Sequence, residues 1–230
     1  MNKNKILDIC KRCVIYCIGL FIIAIGINIS KLAGLGISPV SSVPRALEVA
    51  FGFTLGQMVL LVYCLLVVGQ LIVLRKKFKI KNAFGVLVGV VFGWMVDLVG
   101  IDPNAFGHLM YGIPAPELYP IKLVYLAISI VVIGIGVFTY LKADLIPMPA
   151  EGLALAISQK SKLKCGDCKT IVDVSLITLA AIIQCIALGG IASFLSDIVV
   201  VREGTILSAI CVGQVVKLIR FLVSKFSNKH

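Results

Sequence analysis

The sequence is poor in the groups from which soluble proteins and their active sites are made. Only 14% of its 230 residues are charged, against 60% that are hydrophobic, and so little charge cannot clothe an ordinary globular surface in water. Histidine occurs only at His108 and His230, so no His-based triad and no His-Glu-x-x-His zinc site can be assembled. Neither a P-loop nor a G-x-G-x-x-G fingerprint is present, which argues against an ATP-driven pump acting alone. The longest segment between apolar runs, 142–170, is too short for a separate soluble domain. No enzymatic activity and no cofactor are expected.

Apolar sequence is what the chain has in quantity. A bilayer core ~30 Å thick needs about 20 apolar residues in a helix rising ~1.5 Å per residue. Six windows meet that requirement: 13–31, 55–74, 83–101, 120–141, 171–190 and 204–223. The first is too long for a signal-peptide core and carries Asn28 and Lys31 where cleavage would fall, so it should remain as a span. The chain therefore reads as one all-α integral membrane domain over 1–230, with the lipid bilayer as its first partner.

A net charge of +11 would suit nucleic acid, but the charges are not placed for it. With the N-terminus inside, the segments 3–12, 75–81, 142–169 and 217–229 hold 18 of the 22 basic residues, leaving Lys31, Arg45, Lys122 and Arg202 on the other side. That bias sets topology and touches anionic headgroups. Both termini are expected in the cytosol, and no nucleic-acid partner is expected.

Two stretches, 23–47 and 133–157, carry one pattern at an offset of 110. Ile23, Ile25, Gly26, Ala33, Leu35, Pro39 and Ala46 meet Ile133, Ile135, Gly136, Ala143, Leu145, Pro149 and Ala156. In each, an apolar run ends at a glycine or proline break, and a short, less hydrophobic helix follows. Those helices, 39–51 and 149–158, are about 15 to 20 Å long and cannot cross the core. Each is read as a broken or re-entrant helix, or as an interfacial one that covers the bundle. Three full spans then remain per repeat, about 13–101 and 120–223, and an odd number forces the two halves into opposite orientations. The expected fold is two inverted three-helix repeats.

The third span of each half also aligns. Gly85, Gly89 and Gly93 fall on Thr205, Ala209 and Gly213 at an offset of 120. Small residues let helices approach closely in lipid, so these two spans are expected to pack on one another, or to offer a face to a homodimer or a membrane partner protein. At the breaks, Ser38 and Pro39 suit an N-cap and first helical position. Gly34 and Gly36 let the chain unwind before them. Pro147 and Pro149 repeat the device, and Glu151 in the first turn suits the helix dipole. Together with Ser41 and Gly152, these residues form the candidate site for a small solute: exposed helix starts near the midplane attract anionic or zwitterionic groups.

Of the polar residues within spans, Asp173 is placed in the first turn of the fifth. It is either a gating or coupling carboxylate or a structural partner for the nearby basic loop. Asp97 and Lys217 are read as span-end charges reaching the headgroups. Cys10 with Cys13 and Cys165 with Cys168 form two C-x-x-C pairs, but no zinc-ribbon pattern surrounds them and no metal is expected. Cys17, Cys64, Cys185 and Cys211 read as small packing residues.

The run 34–39 (Gly-Leu-Gly-Ile-Ser-Pro), the run 147–153 (Pro-Met-Pro-Ala-Glu-Gly-Leu) and the run 203–213 opening the last span resemble the YczE/YyaS/YitT family of bacterial membrane proteins. Relatives commonly follow the first Ser-Pro with Trp-Asp, where this chain has Val40 and Ser41. The resemblance implies a multi-pass protein of the bacterial inner (cytoplasmic) membrane with a transporter-like role and no assigned substrate. The expected function is a small-solute permease or secondary transporter with its path between the repeats. The alternative is a membrane scaffold or regulatory subunit that does not transport.

Overall fold

The computed structural model describes residues 3–101, 103–105, 107, 109–161, 163–189 and 200–227; His108, Lys162, Lys229 and His230 lie outside these. Among the described residues the long regular elements are all helices: α1 (Lys3–Ala33), α2 (Pro39–Phe51), α3 (Leu55–Leu74), α4 (Ile80–Val99), α5 (Tyr119–Ala143), α6 (Pro149–Lys160), α7 (Cys165–Ala187) and α8 (Glu203–Ser227). Six of these helices are long and apolar enough to cross a membrane. The two that are not, α2 and α6, have 13 and 12 residues. They follow the first span of each half, where the breaks were read.

Two helices start earlier than hydropathy suggests. Charged residues at a helix start lower the local apolar signal without opposing helix formation. The α7 helix begins at Cys165, with Asp167 in its first turn, where a negative charge complements the macrodipole. Asp173 consequently sits in the third turn and not the first. The α1 helix likewise extends back to Lys3, so both C-x-x-C pairs lie on helices.

The repeated breaks share local geometry. Ser38 and Met148, 110 residues apart, each precede a proline with φ −58° and ψ 150°. Gly34 and Asp144, also 110 apart, both hold left-handed backbone, at φ 66° and 48°. Ser38 occupies the N-cap position, but its hydroxyl bonds Ser41 Oγ at 3.2 Å and makes no cap. Gly36 has φ 101° and lies against Thr205 and the Arg202 amide, a position that a side chain could neither adopt nor fit.

The α1 and α5 helices cross antiparallel at the centre. Gly19 packs on Tyr140, Gly26 on Ile133 and Gly136 on Ile23. A Cβ at Gly26 would lie 2.6 Å from Ile133 Cγ1, and a Cβ at Gly136 would lie 2.6 Å from Ile23 Cγ1. The same contact is thus made twice with the partners exchanged. The α5 and α8 helices run parallel, Leu126 meeting Gly204 and Gly134 meeting Val215.

The glycines of α4 pack on α3, which corrects the expected pairing of the third and sixth spans. Gly85 meets Val67, Gly89 meets Tyr63, and Gly93 meets the Gly56 carbonyl. Asp97 adds a polar clasp, accepting from Thr54 Oγ1 at 2.7 Å and from the Gly56 amide at 2.8 Å. It therefore does not reach for headgroups, because the start of α3 offers it two donors. The corresponding face of α8 is committed differently: Thr205 meets Gly36, while Gly213 has nothing within 4 Å of a built Cβ.

These directions give the bundle two unlike ends. The turn Arg75–Lys77, the start of α7 and the end of α8 share one, here the basic end. Lys31, Arg45, Asp97 and Glu203 lie toward the other.

Overpacking a tight crossing costs about 1–3 kcal/mol, so Gly26→Val, Gly136→Val and Gly93→Val should each destabilise by that amount. Gly213→Ala should fall within about 0.5 kcal/mol of the parent. Reversible unfolding by steric trapping in bilayers checks the contrast.

Candidate functional site

A cavity of about 380 Å³ lies between the two halves. Its walls come from both breaks: Ser38, Pro39, Val40 and Ser41 at the start of α2, and Met148, Ala150 and Glu151 at the start of α6. The α1 and α5 crossing supplies apolar wall through Ile23, Ile27, Ile133 and Val137, and α8 closes the circuit with Ser208, Ala209, Val212 and Gly213. Its size lies within the usual range for small-molecule sites, ~300–1,000 Å³.

The candidate solute-site residues divide into two groups. Ser38, Pro39, Ser41 and Glu151 share this cavity with Asp173. Gly34, Gly36, Pro147, Pro149 and Gly152 do not line it. Gln70 explains two of these: its Nε2 donates to the Pro149 carbonyl at 2.9 Å, and Gly152 lets it approach, since a Cβ there would sit 2.7 Å from that nitrogen. Pro149 and Gly152 thereby fasten α6 to α3. Of the packing residues, Ala209 and Gly213 turn out to be cavity wall.

A hydrogen-bonded cluster stands at the basic end of the cavity. Tyr140 donates its hydroxyl to Glu151 in a short hydrogen bond. Tyr16 meets Tyr140 edge to face, centroids 5.9 Å apart, and donates to the Ile146 carbonyl at 2.9 Å. Lys169 Nζ stands 3.9 Å from Glu151 and 3.8 Å from Asp173 Oδ2. Asp173 Oδ1 is buried without a hydrogen-bond partner. One lysine thus serves two carboxylates, and one carboxylate oxygen remains unused within a membrane-spanning helix, where unpaired polar groups are expensive.

Toward the opposite end stands a cluster of buried charge. Lys31 Nζ lies 2.5 Å from Glu48 Oε1, with the two side chains only 2% and 8% exposed. Arg45 Nη1 lies 2.7 Å from Glu48 Oε2, a charge contact without hydrogen-bond alignment. Glu48 also fixes the course of α2. The helix starts at the cavity beside Ile23 and Ile27, about one to two turns below Lys31, and its last turn returns to Lys31. At the same end of the bundle, the Gly204 amide donates to the Leu35 carbonyl at 2.8 Å, and the Ile37 amide donates to the Val200 carbonyl at 3.3 Å.

Sequence reasoning did not find Tyr63, Phe92, Tyr140, Lys169, Ser208 or Arg220, all of which touch the cavity or its cluster. Lys169 and Arg220 were absorbed into the topology count, and Lys217, read as reaching the headgroups, also lines the wall. The one available signal was the i, i+4 spacing of Lys169 and Asp173. Among the described residues no group of three or more His, Cys, Asp or Glu side chains could hold a metal ion.

The sequence profile of a family described as "Family of unknown function (DUF6198)" matches residues 10–221. Among curated proteins, the chain is 29% identical over 169 residues to the uncharacterized protein YyaS of Bacillus subtilis, covering 74% of this chain and 79% of that one. It is 29% identical over 151 residues to the uncharacterized membrane protein YczE of the same organism, 65% of this chain and 64% of that one. An uncharacterized protein of Haemophilus influenzae is 23% identical over 206 residues, 90% and 82% of the two chains. The resemblance to the YczE/YyaS group seen in the three motifs holds along most of the chain. No solved structure matches.

Removing one member of a buried ion pair costs about 3–5 kcal/mol, whereas replacing both with apolar groups is often neutral. Glu48→Leu alone should destabilise by that amount, and Lys31→Met with Glu48→Leu should recover most of it. Unfolding of the single and double variants in the same bilayer reads the difference.

Proposed function

The chain belongs to the DUF6198 family of unknown function, and from its own geometry we propose that it is a small-solute permease whose two halves form an inverted repeat around the central cavity. The carrying observation is that both helix breaks, 110 residues apart in sequence, open onto one cavity. The exchanged contacts of Gly26 with Ile133 and Gly136 with Ile23, and the matched backbone angles at Ser38 and Met148, support a pseudo-twofold relation. The return of α2 toward Lys31 supports a re-entrant course. The basic end is cytosolic on the positive-inside rule, with both termini on that side, in the inner membrane of a bacterium. The protein is a carrier and not a catalyst.

Alternating access needs two arrangements of one site. The described one is closed toward the outside by the Lys31, Glu48 and Arg45 cluster and by the α3–α4 interlock at Gly56 and Gly93. Their counterparts in the second half, Gly166 and Gly213, both face open space. In the opposite state α8 closes on α7 as α4 now closes on α3, and the outer seam opens in its place. Asp173 and Lys169 lie where that movement would repartner them, which suits Asp173 to gating or ion coupling. The competing reading is a scaffold, a homodimer or partner docking on the exposed Gly213 face. It requires a dry interior.

In a cysteine-free background, Ser38→Cys, Ser41→Cys, Met148→Cys and Glu151→Cys should react with a membrane-impermeant thiol reagent faster when it is applied from the basic side than from the other side. Failure of all four to react from either side would remove the transport site.

A further inference from the structure

The cavity has a chemical character that narrows its ligand, and the narrowing rests on the permease reading of that site. Its inner wall is apolar over Ile27, Phe92, Ile133, Val137 and Val212. Its charged groups gather at the basic end, where three cations, Lys169, Lys217 and Arg220, share the lining with two carboxylates, Glu151 and Asp173, while Ser38, Ser41 and Ser208 add uncharged polar groups elsewhere in the wall. Lys169 is committed to both carboxylates, and Tyr140 also donates to Glu151. Lys217 and Arg220 are left over: both are exposed, three residues apart on one face of α8, and among the described residues neither has an acidic partner. A purely aqueous solute would make poor use of such a wall, and a purely apolar one would make no use of the cations.

The α8 side of the cavity is exposed. Ala209, Gly213, Lys217 and Arg220 line the cavity and are exposed, so this face of α8 is available to a molecule approaching from beside the helix. A Cβ built on Gly213, or on Gly166 in the first turn of α7, meets nothing within 4 Å. A molecule lying in the adjacent leaflet would present its head at the level of Lys217 and Arg220 and its tail at the level of the apolar wall.

We infer that the ligand is an anionic amphiphile, a single carboxylate or phosphate head on an apolar chain, held by Lys217 and Arg220 and admitted from the bilayer between α7 and α8. Charge-assisted contacts from a guanidinium and an ammonium suit either head.

The full-length protein in phosphatidylcholine nanodiscs is irradiated with a diazirine-bearing dodecanoate, and adducts are mapped by mass spectrometry. Adducts should fall on the cavity-lining segments of α1, α5 and α8. Lys217→Gln with Arg220→Gln, both at exposed positions, should lower them about tenfold, the scale set by losing two solvent-screened charge contacts. Acetate in large excess should not displace the label. A trimethylammonium amphiphile with the same tail should not reproduce the pattern. Equal labelling by the cationic amphiphile, adducts unchanged in the double variant, or displacement by acetate would each overturn the inference. Phosphatidylglycerol distinguishes the source: if it suppresses the adducts as strongly as unlabelled dodecanoate, the ligand is a bilayer lipid, and if it does not, the ligand is a free amphiphile. Adducts in the cavity without sided thiol accessibility would sink the permease reading and leave this ligand class standing. Sided accessibility without adducts would do the reverse.

Discussion

Everything else in this molecule is arranged around the antiparallel crossing of α1 and α5. Within a bilayer no hydrophobic force drives helices together, so association depends on close backbone approach and on interhelical hydrogen bonds. Gly19, Gly26 and Gly136 provide that approach, each admitting a larger residue of the other helix. Because Gly26 receives Ile133 as Gly136 receives Ile23, the crossing is balanced about its midpoint. The two breaks that follow α1 and α5 are thereby delivered to one central cavity. A shift in the crossing would move both.

Around that balanced centre the periphery is unequal. On one side α4 is locked to α3 by three glycine contacts and by the Asp97 clasp on Thr54 and Gly56. On the other side α8 rests on α5, and Gly166 and Gly213 are both vacant. A bundle with one tight and one loose seam leaves its cavity bordered by the loose one. The charges follow the same division: the Lys31, Glu48 and Arg45 cluster is buried at the tight end, whereas Lys169 divides itself between two carboxylates at the loose end. The first cluster is the more deeply buried, and the second leaves Asp173 Oδ1 without a hydrogen-bond partner.

Much of the architecture was legible in the sequence, for identifiable reasons. Six apolar windows become six helices long enough to cross a membrane, because hydropathy reports the lipid solvent directly. The breaks at Pro39 and Pro149 were visible because proline and glycine punctuate a helix whatever surrounds them. The start of α7 lies earlier than hydropathy suggests because Asp167 and Lys169 look like loop in a hydropathy window and are ordinary residues in the first two turns of a helix. The partners of Gly85, Gly89 and Gly93 could not be read, since a small-residue face announces close packing and not its recipient. Nor could the roles of Lys169, Lys217 and Arg220 be separated, because a positive charge near a membrane boundary obeys the topology rule whether or not it also faces a cavity.

The most direct test of the account is whether the loose seam closes. Gly166→Cys and Gly213→Cys can be introduced together in a cysteine-free protein, since neither position has a neighbour for an added Cβ to strike. The account predicts that the pair forms a disulfide in the bilayer, and that once formed it blocks thiol labelling of Ser38→Cys from the basic side while admitting it from the other. A disulfide that leaves that labelling unchanged, or a pair that never forms in folded protein, would contradict it.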